Sequence, residues 1–391
     1  MKLGVVLTWQ NHEADWERYE TGEFSKPPAI ADWKVYEENR YLGDLVEPLG
    51  FDSLFAVEHH MTPHHMTGSA LGILTYFAGR TERIDLGTCL IVLPWHHPVR
   101  VAEDVCFLDN LLKGRRLWLG IGRGASPREY AGLGIDQGES RDRFQEGVDI
   151  LRLALTKDCF SYSGKHYNLP QVTVRPRPYT AGLAERLFAG VVTGPSLSIT
   201  ANLGLGLMFV AAGPWDQYAA SLRKFNAIRA GHGWQPVNPI VVSMMYCAPT
   251  QAQAWEGAKR WIGQYSRTSN KHYLFDQPER FAGVSGYEDY LKTGARLKEI
   301  PDSVRHEGFA NSSLWGTPEQ IIEKIQWLAD HVHVDHLVAL VNPGDMSAAD
   351  AEASIRLFAK EVIPAARKIQ PAAFADDGGA AAGRPGSAPE T

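Results

Sequence analysis

The sequence predicts an α/β protein, a (β/α)8 barrel of the TIM type with insertions at its C-terminal rim, on three observations. Eight short runs rich in Val, Ile, Leu and Phe recur along the 391 residues. Each run is apolar almost throughout rather than alternating, as strands buried on both faces of a parallel sheet require. Segments with helical periodicity separate them, and eight strands in regular alternation with helices close a barrel more readily than they open into a doubly wound sheet.

The runs lie at residues 3–8 (LGVVLT), 52–57 (DSLFAV), 84–93 (IDLGTCLIVL), 116–121 (RLWLGI), 187–192 (LFAGVV), 207–211 (LMFVA), 239–246 (PIVVSMMY) and 336–341 (HLVALV). Between them, Val101, Val105, Leu108 and Leu112 mark one helical face, and Phe144, Val148, Leu151 and Leu155 another. Thr317-Pro318-Glu319-Gln320 carries the N-cap, first-turn proline and capping-box Gln of a helix whose apolar stripe is Ile321, Ile325 and Leu328. Ile355, Phe358 and Val362 form a last stripe. Three stretches exceed a lean barrel: 9–32, the Gly- and Pro-punctuated 158–182, and 250–316. In the third, Trp255, Trp261, Tyr265, Tyr273, Phe275 and Tyr290 stand among charges, so it is expected to be partly helical and to cover the barrel mouth. Residues 1–370 read as one domain, and the Ala/Gly/Pro-rich 371–391 as a disordered tail.

Composition narrows the function. A net charge of −6 and a charged fraction of 21% provide no basic field for a phosphate backbone, which excludes nucleic acid as partner. No apolar run is long enough to span a membrane, and MKLGVVLTW passes into QNHEADWE as a strand rather than a signal peptide. Cys89, Cys106, Cys159 and Cys247 are far apart without CxxC spacing and read as free thiols of a reducing cytoplasm.

Six of the 14 histidines fall in adjacent pairs, His59-His60, His64-His65 and His96-His97. If these pairs lie on strands, neighbours point to opposite faces and cannot share an ion. H-x-H and H-E-x-x-H are both missing, so no metal site is expected. Glu58-His59-His60 directly follows the second strand, at the rim where barrel chemistry sits, and His59 is the candidate acid or base. His64, His65 and His96 read as structural. Gly120-Ile121-Gly122-Arg123-Gly124-Ala125 fits a loosened dinucleotide pattern, but no helix opens at once after it. Its glycines instead suit close backbone approach to a ligand, with Arg123 offering charge to a phosphate. Thr193-Gly194-Pro195-Ser196 opens a helix and offers an anion site or a plain N-cap. Arg141 either folds over the same rim or is a solvated helix-end arginine.

Taken together, FAVEHHMT, LPWHHPVRVAEDVCFLDNLLKGRRLWLGIGRG, GESRDRFQEGVDIL, YSGKHYNLPQVTVRPRPY, GTPEQIIEKI and SIRLFAKEVIPAARK occur in the order in which the bacterial-luciferase-like flavin-dependent monooxygenases carry similar segments. The resemblance spans about residues 1–370. It implies FMN at the C-terminal rim of a barrel that usually dimerises. Arg123, Arg141, Thr193 and Ser196 would hold the phosphate, with Gly124 and Gly194 also in the cofactor site. Glu58, Thr88, Cys89 and Leu90 would border the isoalloxazine, with a non-proline cis peptide at Cys89–Leu90. His59 matches the family's catalytic histidine. Gly122 stands where light-emitting members carry a reactive cysteine, and Val192 where they carry an acidic residue.

The implied function is a two-component monooxygenase. Reduced FMN from a separate NAD(P)H:flavin reductase would react with O2 to a C4a-peroxyflavin and oxygenate a small organic substrate, with Trp9, Tyr130 and the 250–316 cover excluding water. The alternatives are an F420-dependent hydride-transfer enzyme on the same fold, a metal hydrolase on a barrel and a flavin-storage protein.

Overall fold

Eight parallel strands close on themselves in the computed structural model, which describes residues 1–11, 15–210 and 213–374. They are β1 (Lys2–Val6), β2 (Ser53–Ala56), β3 (Asp85–Val92), β4 (Leu117–Gly122), β5 (Leu187–Val191), β6 (Gly206–Val210), β7 (Ile240–Cys247) and β8 (His336–Leu340). Each pairs with its chain neighbours, β8 pairs with β1 (Gly4 opposite Val338), and closure is direct because β6 also pairs with β7 (Met208 opposite Ile240). All eight expected runs are therefore barrel strands, although residue 211 of the sixth lies outside the described residues. A ninth short strand, Leu314–Gly316, extends the end of β7, with Leu314 opposite Met245. Three residues are too few to show a period, so this strand was not expected.

Two apolar cores follow from the alternation of strand side chains. Val6, Phe55, Trp118, Met208, Val242 and Leu340 fill the barrel interior. Leu3, Leu54, Leu86, Leu119, Leu207 and Leu337 face outward, against Val101, Val105 and Leu108 of helix Pro98–Leu112 and Phe144, Val148 and Leu151 of helix Ser140–Thr156. The capping box at Thr317 forms on both sides: its side chain accepts from Gln320 N, and the Gln320 side chain accepts from Thr317 N. Ile355, Phe358 and Val362 are buried as expected.

The excursion at 158–182 is an antiparallel hairpin, Phe160–Ser163 with Asn168–Val172. Its turn is anchored by the Glu146 carboxylate, which accepts from the backbone N–H of Lys165, His166 and Tyr167. The 250–316 insertion is mostly helical. Helix Gln251–Gly257 continues through a π-helical turn, Ala258–Ile262, into helix Gly263–Tyr273, and helices Glu288–Glu299 and Asp302–Asn311 follow. Of the tail expected from residue 371, residues 371–374 lie against the barrel: Ala372 N donates to Ala329 O at 3.0 Å, and Phe374 stacks on His333. Residues 375–391 lie outside the described residues.

Candidate active site at the barrel mouth

A cavity of about 250 Å³ opens at the C-terminal ends of the strands. Interior barrel residues (Val6, Val242, Met244) form its floor, and the insertion roofs it with Tyr265, Tyr273, Phe275, Tyr290 and Phe309. The polar groups of its wall come from the loop after β2, the turn after β4 and the start of the helix after β5.

Glu58 is buried yet ionised. Burial pushes its carboxyl up, but His60 Nε2 at 3.1 Å, His96 Nε2 at 2.5 Å and the Val92 N–H at 3.0 Å outweigh this and hold it below its ordinary range. His96, bound to that carboxylate, is raised despite its own burial. It therefore serves the site by positioning Glu58.

His59 bridges two partners. Its Nδ1 lies 3.2 Å from Glu129 Oε1, and its Nε2 lies 3.1 Å from the Tyr273 hydroxyl. Glu129 sits on the short helix Pro127–Leu133 and is completely buried. Burial opposes its charge, but His59 and His272 beside it bring its pKa down to about 2. A carboxylate on Nδ1 fixes that nitrogen as the N–H, leaving the Nε2 lone pair toward Tyr273. The Tyr273 phenol, driven well above its ordinary pKa by burial, stays a hydrogen-bond donor.

Behind His59, the rings of His64, His65 and His272 lie 5.5, 5.0 and 4.9 Å from its ring. Burial pushes all three pKa values down, so they are neutral near pH 7. The expectation that members of the adjacent pairs point apart is corrected here. β2 ends at Ala56, His59-His60 and His64-His65 sit in the loop after it while His96-His97 follows the turn after β3, and the His64 and His65 rings meet at 4.5 Å. Among the described residues, His59 forms a possible ligand set either with His64 and His65 or with Glu129 and His272.

Leu90 follows the cis peptide Cys89–Leu90. A Cβ at Gly122 would come within 2.7 Å of its side chain and one at Gly190 within 2.4 Å, so these glycines make the room Leu90 occupies. A cysteine at 122 would require the end of the Leu90 side chain to shift. Cys89 lines the cavity, and burial raises its thiol to about 12, which keeps it protonated and unreactive.

On another part of the wall Arg123 stacks 4.1 Å over Tyr287 and donates from Nη2 to Gly286 O at 3.0 Å. Its Nη1 and the Nε of Arg141 are buried without a hydrogen-bond partner among the described residues. The two arginines converge on Gly286. At φ +83° Gly286 is in the left-handed region, and a Cβ there would stand 2.8 Å from Arg123 Nη1 and 3.0 Å from Arg141 Nη2. Glu288 Oε1 accepts from Gly286 N and is held ionised in part by both arginines.

The cavity wall thus includes Glu58, His59, Cys89, Leu90, Arg123, Gly124 and Ser196 of the expected residues. Thr88 is not part of it: it lies on the outward face of β3, and its hydroxyl donates to Gly120 O of the neighbouring strand at 2.7 Å. Thr193 caps helix Gly194–Asn202 by accepting from Ser196 N and meets the Ser196 hydroxyl at 2.9 Å. Thr193, Gly194 and Arg141 lie outside the wall. Trp9 packs on Tyr36 and Tyr130 on Trp95, so neither covers the mouth as expected. Glu129, His272 and Tyr273 were missed: they reach His59 across 70 or more residues, and no local spacing announces such contacts.

The donor set fits a flavin phosphate. Buried guanidinium nitrogens lacking an acceptor are what a phosphate dianion satisfies, and the apolar walls around Leu90, Val92 and Val192 suit a flat ring system.

A family model described as luciferase-like monooxygenase matches residues 1–332. The chain belongs to this family. It is 27% identical over 353 residues to the alkanal monooxygenase alpha chain of Photobacterium leiognathi, covering 87% of this chain and 96% of that one. It is 28% identical over 353 residues to the corresponding chain of the Kryptophanaron alfredi symbiont, covering 87% and 95%.

Among solved structures, a monooxygenase from Streptomyces bottropensis superposes with TM-score 0.73 at 22% identity over 93% of this chain and 99% of that one. The FMN-bound oxygenating constituent of 3,6-diketocamphane monooxygenase of Pseudomonas putida gives 0.69 at 19%, over 93% and 98%. An F420-dependent secondary alcohol dehydrogenase gives 0.67 at 16%, over 94% and 99%. The family supports an oxidoreductase of the monooxygenase kind, and the neighbours support the TIM barrel. No described helix is long and apolar enough to cross a membrane.

Proposed function

We propose that the protein is an FMN-dependent monooxygenase that receives reduced FMN from a separate NAD(P)H:flavin reductase and oxygenates a small organic substrate. The observation that carries this reading is the shared wall: the His59–Glu129–Tyr273 relay and Arg123, whose Nη1 has no hydrogen-bond partner among the described residues, line one apolar cavity. Arg123 and Ser196, with Arg141 and Thr193 beside them, would hold the FMN phosphate, and Glu58, Cys89 and Leu90 would border the ring. When bound, reduced FMN supplies the electrons that activate O2 for insertion into substrate.

The chain's own residues supply proton control and exclusion of water. His59 Nε2 accepts a proton from the reacting centre or from Tyr273, and Glu129 stabilises the imidazolium that results. The aromatic roof keeps water out, where it would divert oxygen activation into unproductive peroxide release. The cavity is smaller than the ~300 Å³ at which ordinary small-molecule sites begin. Cofactor and substrate together therefore require the Tyr265–Tyr290 roof to lift, and the Arg123–Gly286 contact couples that movement to the phosphate end. Homodimerisation is part of the proposal. Its support is the exposed Tyr76 on helix Ala70–Ala78 together with Phe107 and Leu111 on the adjoining helix Pro98–Leu112.

The F420-dependent neighbour keeps a hydride-transfer reading in play. Anaerobic fluorescence titration with reduced FMN and reduced F420 separates the two. Tight FMN binding, with riboflavin at least about tenfold weaker for want of the phosphate contact, is expected. Tight F420 binding with FMN no better than riboflavin contradicts the proposal.

A further inference from the structure

Two buried polar atoms behind His59 face each other without a well-formed hydrogen bond. Glu129 Oε2 and His272 Nε2 are 3.3 Å apart, both wholly buried, and neither has a hydrogen-bond partner among the described residues. His272 Nδ1 lies 2.7 Å from the Thr62 hydroxyl. If His272 donates Nδ1–H to Thr62 Oγ1, Nε2 presents a lone pair toward the carboxylate, as a metal ligand must; in the other tautomer Thr62 donates to Nδ1 and Nε2–H faces Glu129. In the first tautomer the two electron-rich atoms require a cation between them in a dry interior. His59 Nδ1 is the third donor, 3.2 Å from the other oxygen of the same carboxylate.

We propose that His59, Glu129 and His272 form a binding site for a divalent transition-metal cation of the Zn2+ class. One ligand atom from each of the three lies within 4.8 Å of the others. The 3.3 Å contact matches an edge of a tetrahedron with ligand bonds of about 2.0–2.2 Å, while the 3.2 Å contact of His59 Nδ1 runs to the other carboxylate oxygen. Two imidazoles and one carboxylate favour Zn2+ or Co2+ over Mg2+ or Ca2+, which take mainly oxygen ligands. Thr62 on His272 supplies the outer hydrogen bond that orients a metal-binding imidazole. His59 and Glu129 belong to the cavity wall, which sets the three ligands at the edge of the cavity.

Proton balance is direct. Neutral His59 binds through Nδ1 once its proton resides on Nε2, where the Tyr273 oxygen at 3.1 Å can accept it; an imidazolium releases one proton to solvent on binding. The cation then holds the nitrogen on which the proton relay depends, so the site is inhibitory for any chemistry that uses His59. Cation binding itself does not depend on the flavin reading.

The test is a Co2+ titration of the chelator-treated full-length protein, followed by its ligand-field absorption and by displacement with Zn2+. One equivalent is expected to bind, and His272→Gln is expected to weaken it about 100-fold. His64→Asn removes a ring stacked on His272 at 5.0 Å but outside the ligand set, and is expected to leave affinity within about threefold. Thermal unfolding confirms that each variant folds, and Glu129→Gln replaces His272→Gln if that variant does not. Three results overturn the assignment: no stoichiometric band in the wild type, undiminished affinity in His272→Gln, or loss in a folded His64→Asn, which would move the ion to His64 and His65.

Discussion

At the N-terminal end of the barrel, His336 is buried between Phe55 and Trp118 with its Nε2 on the Ser53 hydroxyl at 2.8 Å. Burial, with Lys2 nearby, takes its pKa down to about 3. At the C-terminal end, His59 has a carboxylate on one nitrogen, a phenol on the other and an opening to a cavity. The same side chain fills space as a neutral ring at one end and is hydrogen-bonded between a carboxylate and a phenol at the other. The difference lies in the neighbours: His336 has a hydroxyl, whereas His59 has an ionised, buried carboxylate. Burial alone therefore does not mark a functional histidine; burial beside a charge and next to a cavity does.

The largest effect expected from this contrast is on turnover. His59→Ala should lower product formation about 10²- to 10⁴-fold while leaving FMN binding intact, measured as substrate oxygenated per reduced FMN consumed. His336→Leu, at the other end, should leave turnover per folded molecule unchanged and cost about 1–3 kcal/mol of stability through the orphaned Ser53 hydroxyl, read by denaturant unfolding. Equal losses of turnover in the two variants would erase the distinction.

Acid stability is next. His64, His65, His272 and His336 have folded pKa values below 6.5, so the unfolded chain takes up protons first as pH falls. Stability present above about pH 6.5 is then lost toward lower pH, by at most about 1.4 kcal/mol per pH unit for each histidine. Melting temperatures followed from about pH 7.5 to 5 should fall steadily, and His336→Leu should reduce the slope. A flat profile would mean these rings are not held neutral.

Smaller effects belong to the phosphate end. Arg123→Ala should weaken FMN by roughly 1.5–3 kcal/mol and riboflavin hardly at all, by equilibrium titration. Thr193→Ala should cost about 1 kcal/mol of stability through the lost N-cap, with a smaller change in FMN affinity, by unfolding and titration together.

How far the sequence shows all this depends on how local each cause is. Strands such as LGVVLT and IVVSMMY announce themselves because burial on both faces requires unbroken apolar runs. Thr317–Gln320 announces its helix because a capping box is four consecutive residues. Glu58-His59 was legible from its place after β2, and Arg123 from its place after β4. Glu129, His272 and Tyr273 were not, because a loop, a two-turn helix and an insertion bring them together only after the barrel closes. The pairing rule for His64 and His65 failed where β2 stopped: beyond Ala56 strand geometry no longer governs side-chain direction.

The most direct measurement mixes anaerobic protein loaded with photoreduced FMN against oxygenated buffer in a stopped-flow spectrophotometer and follows the return of oxidised-flavin absorbance. In the wild type and His336→Leu, oxidised flavin should return more slowly than in free FMN, and in His59→Ala at a rate approaching that of free FMN. Return at the free-flavin rate in all three proteins would contradict an oxygenase in which His59 governs the fate of activated oxygen.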